Sequence, residues 1–159
     1  MAGLTETLAR HRLVGLDTAV FIYLLEDVPP YAALARSVLE SIASGAVGGV
    51  TSALSLMELA VKPLRAGRAD LADEYEARIS GISNLLVAEL DRTALRRAAE
   101  IRASYRLQPA DALRVGACLR HGATAFLTND RDFRRLDEID VILLSDYLEH
   151  DGLIDDGQR

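Results

Sequence analysis

The chain alternates between short apolar runs and longer segments with helical spacing, and this alternation constrains the fold more than any other feature. The predicted strands cover 13–17, 46–50, 84–90, 123–127 and 141–144. The predicted helices cover 18–25, 31–43, 52–65, 68–82, 91–105 and 109–121, and 130–136 is a turn or a short helix. Strands that alternate with helices favour a parallel sheet covered on both faces. The sequence therefore predicts an α/β fold, a three-layer α/β/α sandwich with a central, mainly parallel sheet.

The length of 159 residues fits one ordinary domain, and an apolar content of 50% supplies a sizeable core. We place the domain at 1–145 and an acidic tail at 146–159. The tail holds five acids and one arginine, so −4 of the net charge of −6 lies there and the body is close to neutral. A nucleic-acid partner is therefore not excluded, although a large basic groove is not expected.

The cysteine count and the hydropathy bound the cellular location. A single cysteine, Cys118, excludes an intramolecular disulfide and favours a reducing, cytoplasmic compartment. Its apolar neighbours predict a place in the core rather than a nucleophilic role. Residues 1–12 are mixed polar and lack the features of a secretory signal. No uncharged apolar run reaches the ~18–20 residues that a membrane span needs, so we expect no membrane partner.

Two predicted strands end in polar residues. Asp17 directly follows the apolar residues of the first strand, and Thr128, Asn129 and Asp130 follow the run that ends at Leu127. Ligands of open α/β sheets bind beyond the carboxyl ends of the strands. Both strands are therefore expected to deliver an acid to the same edge of the sheet.

Two further acids lie on predicted helices. Glu58 belongs to the helix 52–65, and we expect it on the margin of the buried stripe, where a carboxylate can reach a cleft. The residues expected to centre that stripe are Ala53, Met57, Ala60 and Leu64. Asp111 lies in the first turn of the helix that Pro109 opens, where negative charge is favoured.

Each acid also has a structural alternative. Asp17 could cap a helix, Glu58 could be solvated, Asp111 could complement a helix dipole and Asp130 could form an Asx turn. If the four carboxylates converge, however, either they raise one another's pKa values or a cation must neutralise them. Oxygen ligands without Cys or His favour Mg²⁺ or Mn²⁺ over zinc. The pattern thus indicates metal-assisted hydrolysis of nucleic acid.

Four motifs in this order resemble those of PIN-domain nucleases and, more narrowly, of the VapC toxins of bacterial toxin–antitoxin systems. They are LDTAVFIYLL at 16–25, SLMEL at 55–59, PADAL at 109–113 and LTNDRDF at 127–133. The resemblance implies a parallel-sheet α/β/α fold, Mg²⁺- or Mn²⁺-dependent endoribonuclease activity and homodimers. It also implies a cognate, VapB-like antitoxin whose C-terminal segment occupies the active-site groove.

The resemblance assigns the four family acids to Asp17, Glu58, Asp111 and Asp130. Asp132 is a neighbouring candidate for the fourth position, and the side chains of Thr128 and Asn129 could assist. Basic residues around the expected cleft could contact phosphates or the acids of the antitoxin. These are Lys62, Arg65, Arg68, Arg114, Arg131, Arg134 and Arg135.

Other functions remain open at the level of sequence. A haloacid-dehalogenase-type phosphatase needs a second acid two residues after the first, where this chain has Ala19. A PIN nuclease of RNA processing or DNA cleavage, outside a toxin system, is not separated from a toxin. A degenerate PIN-like binding module would act through protein contacts alone. The apolar surface of the helices 31–43 and 52–65 hints at a dimer interface.

Overall fold

The structure, a computed structural model, describes residues 2–148 and is built around one parallel sheet. Its strands in this range are β1 (Leu13–Leu16), β2 (Gly48–Ser52), β3 (Leu85–Ala88), β4 (Ala125–Thr128) and β5 (Asp140–Leu143). The strand order is β3-β2-β1-β4-β5, and every neighbouring pair is parallel. The carboxyl ends of β1 and β4 therefore lie side by side in the middle of the sheet.

Helices cover both faces of this sheet, which confirms the predicted three-layer α/β/α fold. They are α1 (Leu4–Leu8), α2 (Thr18–Leu25), α3 (Tyr31–Ala43), α4 (Leu54–Arg65), α5 (Ala69–Ser80), α6 (Arg92–Ser104) and α7 (Pro109–Arg120). Short 3-10 helices cover Arg131–Arg135 and Leu144–Tyr147. Helices α1 to α5 contribute to one apolar core, and α6 and α7 contribute to the other. Leu127 faces the first core and Phe126 the second, as the two-residue repeat of a strand requires.

Helix α7 packs tightly because glycines remove side chains at its contacts. A Cβ atom at Gly116 would lie 2.8 Å from the backbone nitrogen of Ala98 on α6. A Cβ atom at Gly15 of β1 would lie 2.8 Å from the Sγ atom of Cys118. The Cys118 side chain is buried, as predicted, and burial raises the pKa of its thiol to about 12. These contacts fix the helix that carries Asp111.

Most predicted elements are present, with shifts of a few residues at their ends. The predicted strand 46–50 lies at Gly48–Ser52, so Thr51 and Ser52 belong to β2 rather than to a helix cap alone. The Ser52 hydroxyl still accepts a hydrogen bond from the backbone nitrogen of Leu54. Helix α1 was not predicted from the sequence; its Leu4 and Leu8 are buried against the first core.

The predicted buried stripe of α4 is wrong. Its buried residues are Ser55, Leu59 and Pro63, whereas Met57 is 59% exposed and Leu64 is 54% exposed. The physical reason is that the buried face carries a serine whose hydroxyl has polar partners in the core, so hydrophobicity alone misplaces the face. Glu58 directly precedes Leu59 and is partly buried.

The proposed acidic tail 146–159 lies largely outside the described residues. Its first member, Asp146, accepts a hydrogen bond of 2.9 Å from Nη2 of Arg134. None of the helices within residues 2–148 has both the length and the apolar character that crossing a membrane requires.

Candidate active site

Asp17 lies at the junction of β1 and α2 and has defined partners for both of its carboxylate oxygens. Oδ1 accepts a hydrogen bond of 2.8 Å from the backbone nitrogen of Thr18, so Asp17 caps α2. Oδ2 accepts one of 2.6 Å from the hydroxyl of Thr128, at the end of β4. The residue is 8% exposed. The end of β1 thus fixes the position of Asp17, and the hydrogen bonds from Thr18 and Thr128 fix its orientation.

A chain of hydroxyl groups connects this junction to Glu58. The Thr51 hydroxyl donates to the backbone oxygen of Leu16 at 2.9 Å, so the Ser55 hydroxyl, 3.0 Å away, must be the donor to Thr51. Thr18 Oγ1 lies 2.9 Å from Ser55 Oγ and 3.3 Å from Oε1 of Glu58, and its single proton is shared between these two acceptors. The network of hydroxyl groups thus reaches Oε1 of Glu58, which is a partly buried acid.

Arg114 occupies the centre of the site. Its Nε and Nη2 atoms donate to Oε1 and Oε2 of Glu58 at 3.0 and 2.7 Å, a bidentate pair. Its Nη1 atom donates to Oδ1 of Asp111, one helical turn earlier on α7. Its Nε atom lies 3.7 Å from Oδ1 of Asp17. One guanidinium therefore contacts three acids from three different segments of the chain.

The electrostatics of the site follow from burial and crowding. Burial raises the pKa of Asp17, opposed by the hydrogen bond from Thr128 and the charge of Arg114. Burial also raises the pKa of Asp111, and the nearby charges of Asp130 and Asp17 raise it further against the opposing effect of Arg114. Burial lowers the pKa of Arg114, but the hydrogen bond to Glu58 and the charges of the surrounding carboxylates outweigh it, so the pKa is raised and the guanidinium stays charged. Three acids and one base leave an excess of negative charge.

Asp130 lies at the edge of this cluster. It follows β4, is exposed, and accepts a hydrogen bond of 2.9 Å from the backbone nitrogen of Asp132, which starts the 3-10 helix. Its own backbone nitrogen donates to Thr128 at 3.1 Å. The Asn129 side chain instead bonds Tyr23 and the backbone of Ser145, so it supports the loop. The structure brings Asp17, Glu58 and Asp111 together on Arg114, with Asp130 beside them.

Most of the other basic residues expected near the cleft have exposed partners of their own. Lys62 pairs with Glu26 at 2.7 Å and Arg68 with Asp70 at 2.9 Å. Arg134 pairs with Asp146, and Arg135 lies 3.6 Å from Asp132. Exposed pairs of this kind contribute little to stability and break readily. These side chains are therefore available to other anions near the site.

The acids lie outside one sizeable cavity of the described residues. That cavity, of about 470 Å³, lies between α2, α3 and the end of α5 and is lined by Leu24, Leu39 and Ile82 among others. A smaller one of about 220 Å³ adjoins Glu58 and is mainly apolar. The acid cluster is the candidate site, because it gathers three acids around one arginine.

The side chains fit a hard divalent cation by their chemistry. Asp17, Glu58 and Asp111 supply oxygen donors only, and their excess of negative charge calls for a cation. Within residues 2–148, however, no three Asp, Glu, His or Cys side chains are grouped closely enough to hold a metal ion as they stand. The guanidinium of Arg114 lies between Glu58 and Asp111 and donates to both, so it keeps these carboxylates apart.

Sequence reasoning had not identified the hydroxyl network or the central place of Arg114. Ser55 stands three residues before Glu58, and Arg114 stands three residues after Asp111, so each shares a helix face with a candidate acid. The three-residue spacing from a candidate acid is the signal in the sequence that points to Ser55 and Arg114. The partners of both residues on other segments are not visible in the local sequence.

Comparison with known proteins places the chain in a family. The family model for the PIN domain matches residues 14–139, which is most of the chain. The chain therefore belongs to the PIN domain family, and the resemblance carried by the four motifs is confirmed. The comparison with curated proteins found no match.

Solved structures share the fold over most of their length, and several are VapC toxins with their antitoxins. VapBC2 from Rickettsia felis, bound to a promoter DNA fragment, has a TM-score of 0.66 and 15% identity, covering 82% of this chain and 98% of that chain. DNA-bound VapBC from Salmonella typhimurium has a TM-score of 0.60 and 25% identity, covering 82% and 97%. VapC20 from Mycobacterium tuberculosis, a toxin that cleaves the sarcin–ricin loop, has a TM-score of 0.59 and 17% identity, covering 80% and 98%.

Proposed function

We propose that the chain is a metal-dependent endoribonuclease and the toxin of a VapBC-type toxin–antitoxin pair. The observation that carries the proposal is the convergence of Asp17, Glu58 and Asp111 at the carboxyl edge of a PIN-domain sheet. With Asp130 beside them, these are the proposed catalytic and metal-holding residues, and the proposed cofactor is Mg²⁺ or Mn²⁺. The lone buried cysteine and an RNA substrate favour action in the cytoplasm.

The residues of the chain would prepare the site before substrate binds. The chemistry that Mg²⁺ or Mn²⁺ supplies in such sites is a lower pKa for an attacking water and stabilisation of charge on the phosphodiester oxygens. Asp17 is held by Thr18 and Thr128, so its carboxylate keeps one orientation. Glu58 is oriented by Thr18, and Asp111 by the closely packed helix α7. Rigid placement of this kind is what a hydrolytic site requires.

The proposal is tested by cleavage of a labelled, structured RNA in EDTA, Mg²⁺ and Mn²⁺. Wild type is compared with Asp17→Asn, and Asp140→Asn serves as a matched control from the opposite end of the sheet. We expect cuts that need metal, disappear in Asp17→Asn and persist in Asp140→Asn. Cuts that persist in Asp17→Asn contradict the assignment. Absence of cutting, together with absence of Mn²⁺ binding, favours the alternative of a binding module.

Incubation with a DNA substrate of the same sequence distinguishes an RNA-cleaving toxin from a PIN nuclease that cleaves DNA. The near-neutral body of the chain offers no strong basic groove that would favour duplex DNA. We therefore expect RNA to be cut and DNA to be spared. Preferential cutting of DNA would favour the alternative outside a toxin system.

The proposed partner is a small VapB-like antitoxin. Support comes from the similar structures, which are complexes of toxins with antitoxins. The test is coexpression with the protein encoded by a short reading frame directly upstream. We expect a stable complex in which RNA cleavage is suppressed, and cleavage that is unaffected by that protein would contradict the pairing.

We also propose a homodimer, supported by one helix rather than by the two that the sequence suggested. The apolar residues of α3 are largely buried within the chain itself. Helix α4, by contrast, exposes Met57, Val61 and Leu64 as a stripe at helical spacing. Light scattering at micromolar concentration should give twice the chain mass, and Met57→Glu should give the monomer. A wild-type protein with the mass of a single chain would contradict the proposed homodimer.

A further inference from the structure

Arg114 holds the oxygen atoms through which the candidate acids would bind a cation. It contacts both oxygens of Glu58 through a bidentate pair and Oδ1 of Asp111 through a third nitrogen. The two oxygens of Asp17 already accept hydrogen bonds from Thr18 and Thr128. The guanidinium therefore stands where the three acids come closest to a common centre.

The position of Arg114 also leaves it a way out of the site. Its side chain is 18% exposed, so one side of it reaches solvent. An arginine has a long, flexible stem that can stay packed while the charged end moves. The contacts with Glu58 and Asp111 can thus be exchanged without unfolding α7, which is held by its packing against α6 and β1.

We propose that Arg114 is a resident counter-ion that competes with the divalent cation for Glu58 and Asp111. The inference rests on the proposed metal site and assigns a role to a residue of this chain toward that site. In the metal-free protein, the guanidinium offsets part of the negative charge of the acids and stabilises the fold. Loading of the cation requires the guanidinium to leave, so Arg114 lowers the affinity of the site and sets the concentration of metal at which it fills.

The alternative role for Arg114 is that of a positioning residue that keeps the acids ready for the cation. The two roles make opposite predictions for metal affinity. Removal of a competitor strengthens cation binding, whereas removal of a positioning residue weakens it. Stability of the metal-free protein does not separate them, because either loss leaves buried acids uncompensated.

The test is isothermal titration of Mn²⁺ into wild type, Arg114→Gln and Arg114→Lys, with melting curves measured in EDTA and in Mn²⁺. For Arg114→Gln we expect Kd to fall at least about tenfold, because charge-assisted hydrogen bonds each correspond to about one to two powers of ten in an equilibrium constant. Arg114→Lys keeps the charge and loses the planar fork, so its Kd should lie between the two. The melting temperature of Arg114→Gln should be lower in EDTA and rise more with Mn²⁺.

The matched control is Arg120→Gln, which removes an arginine from the same helix. Arg120 lies 3.5 Å from Asp91, the cap of α6, rather than among the candidate acids. Its Kd for Mn²⁺ should stay within about twofold of wild type, since exposed charges act weakly at a distance. An equal gain in Arg120→Gln would mean that net charge alone changes the affinity and would overturn the inference.

Two other outcomes overturn the inference in distinguishable ways. An equal or higher Kd in Arg114→Gln, with wild type binding Mn²⁺, means that Arg114 positions the acids, and the proposed nuclease stands. If Asp17→Asn and wild type both fail to bind Mn²⁺, and the Arg114 variants also fail, the metal site itself is absent. That second result contradicts the proposed function together with the inference.

Discussion

The two ends of the sheet hold ionisable groups in opposite arrangements. At the amino ends, His11 lies 2.8 Å from the Thr124 hydroxyl and 3.8 Å from Asp140, whose side chain is 78% exposed. At the carboxyl ends, Asp17 is buried and shares Arg114 with two further acids. At the amino ends, a single acid, Asp140, lies near a single histidine, His11, and the acid is exposed to solvent. The second arrangement gathers more negative charge than its single cation neutralises, which favours cation binding at the carboxyl ends.

Burial explains why the difference matters. Exposed ions lose little by being unpaired, because water screens them. Acids held away from water keep a cost of ionisation, seen here in the raised pKa of Asp17 and of Asp111. Acids with raised pKa values that lie close together are common at functional sites. The carboxyl end is therefore where substitution should change activity most.

The largest effect is expected for the matched pair Asp111→Asn and Asp140→Asn. Asp111→Asn should lower RNA cleavage at least about 100-fold, since even supporting residues of metal sites change activity about 10- to 100-fold. Asp140→Asn should change it less than about twofold, because its side chain is exposed. Initial cleavage rates in Mg²⁺ give both numbers. Similar losses in the two variants would remove the distinction between the ends of the sheet.

The next effect concerns the packing that places α7 at the carboxyl end. A Cβ atom at Gly116 would lie 2.8 Å from the nitrogen of Ala98 and 2.9 Å from the oxygen of Ala94. Gly116→Ala should therefore lower the free energy of unfolding by about 1–3 kcal/mol, measured by urea denaturation. Alanine normally stabilises a helix relative to glycine, so a stabilised variant would show that α6 and α7 are not in close contact.

The fourth acid is tested by comparing Asp130→Asn with Asp132→Asn. Asparagine can keep the hydrogen bond from the backbone nitrogen of Asp132, so the 3-10 helix should persist. We expect a loss of cleavage of at least about tenfold for Asp130→Asn, because even supporting residues of metal sites change activity about 10- to 100-fold and Asp130 is a proposed metal-holding residue. Asp132→Asn should change the rate less than about twofold. The reverse order would move the fourth position to Asp132.

The smallest effect is on the metal-free stability of Asp17→Asn. Burial raises the pKa of Asp17, so the folded protein keeps this proton to a higher pH than the unfolded chain does, and stability falls as the pH rises through that window. Asparagine mimics the protonated form. In EDTA at pH 7, the variant should be about 1 kcal/mol more stable than wild type in urea denaturation.

That gain should shrink as the pH falls toward 3.8, the ordinary value for an aspartate, because wild type then becomes neutral as well. Asparagine can still cap α2 by accepting from Thr18, so loss of the cap should not mask the effect. A variant that is clearly less stable at pH 7 would mean that Asp17 serves the fold first.

Local signals predicted most of the fold. The apolar run before Asp17 and the proline at 109 each mark an element through neighbouring residues, and those elements lie where expected. The buried face of α4 was missed because Ser55 is satisfied by Thr18 and Thr51, which come from other segments. Non-local hydrogen bonds of this kind leave no periodic pattern in the sequence.

In the candidate site, too, the local features could be predicted from the sequence and the non-local contacts could not. The strand ends that precede Asp17 and Asp130 and the helices that carry Glu58 and Asp111 could be predicted, because each is a local feature of the chain. The role of Arg114 could not, since Glu58 is 56 residues away and only the contact with Asp111 lies within one helical turn. A basic residue among many arginines becomes distinctive only when the fold places three acids around it.

The most direct test of a metal site at the carboxyl end is titration calorimetry of Mn²⁺ with wild type, Asp17→Asn and Asp140→Asn. We expect saturable binding by wild type and by Asp140→Asn with the same affinity, and loss of that binding in Asp17→Asn. Binding of equal strength by all three proteins, or absence of binding by all three and also by Arg114→Gln, would contradict a carboxylate-held metal at this edge of the sheet.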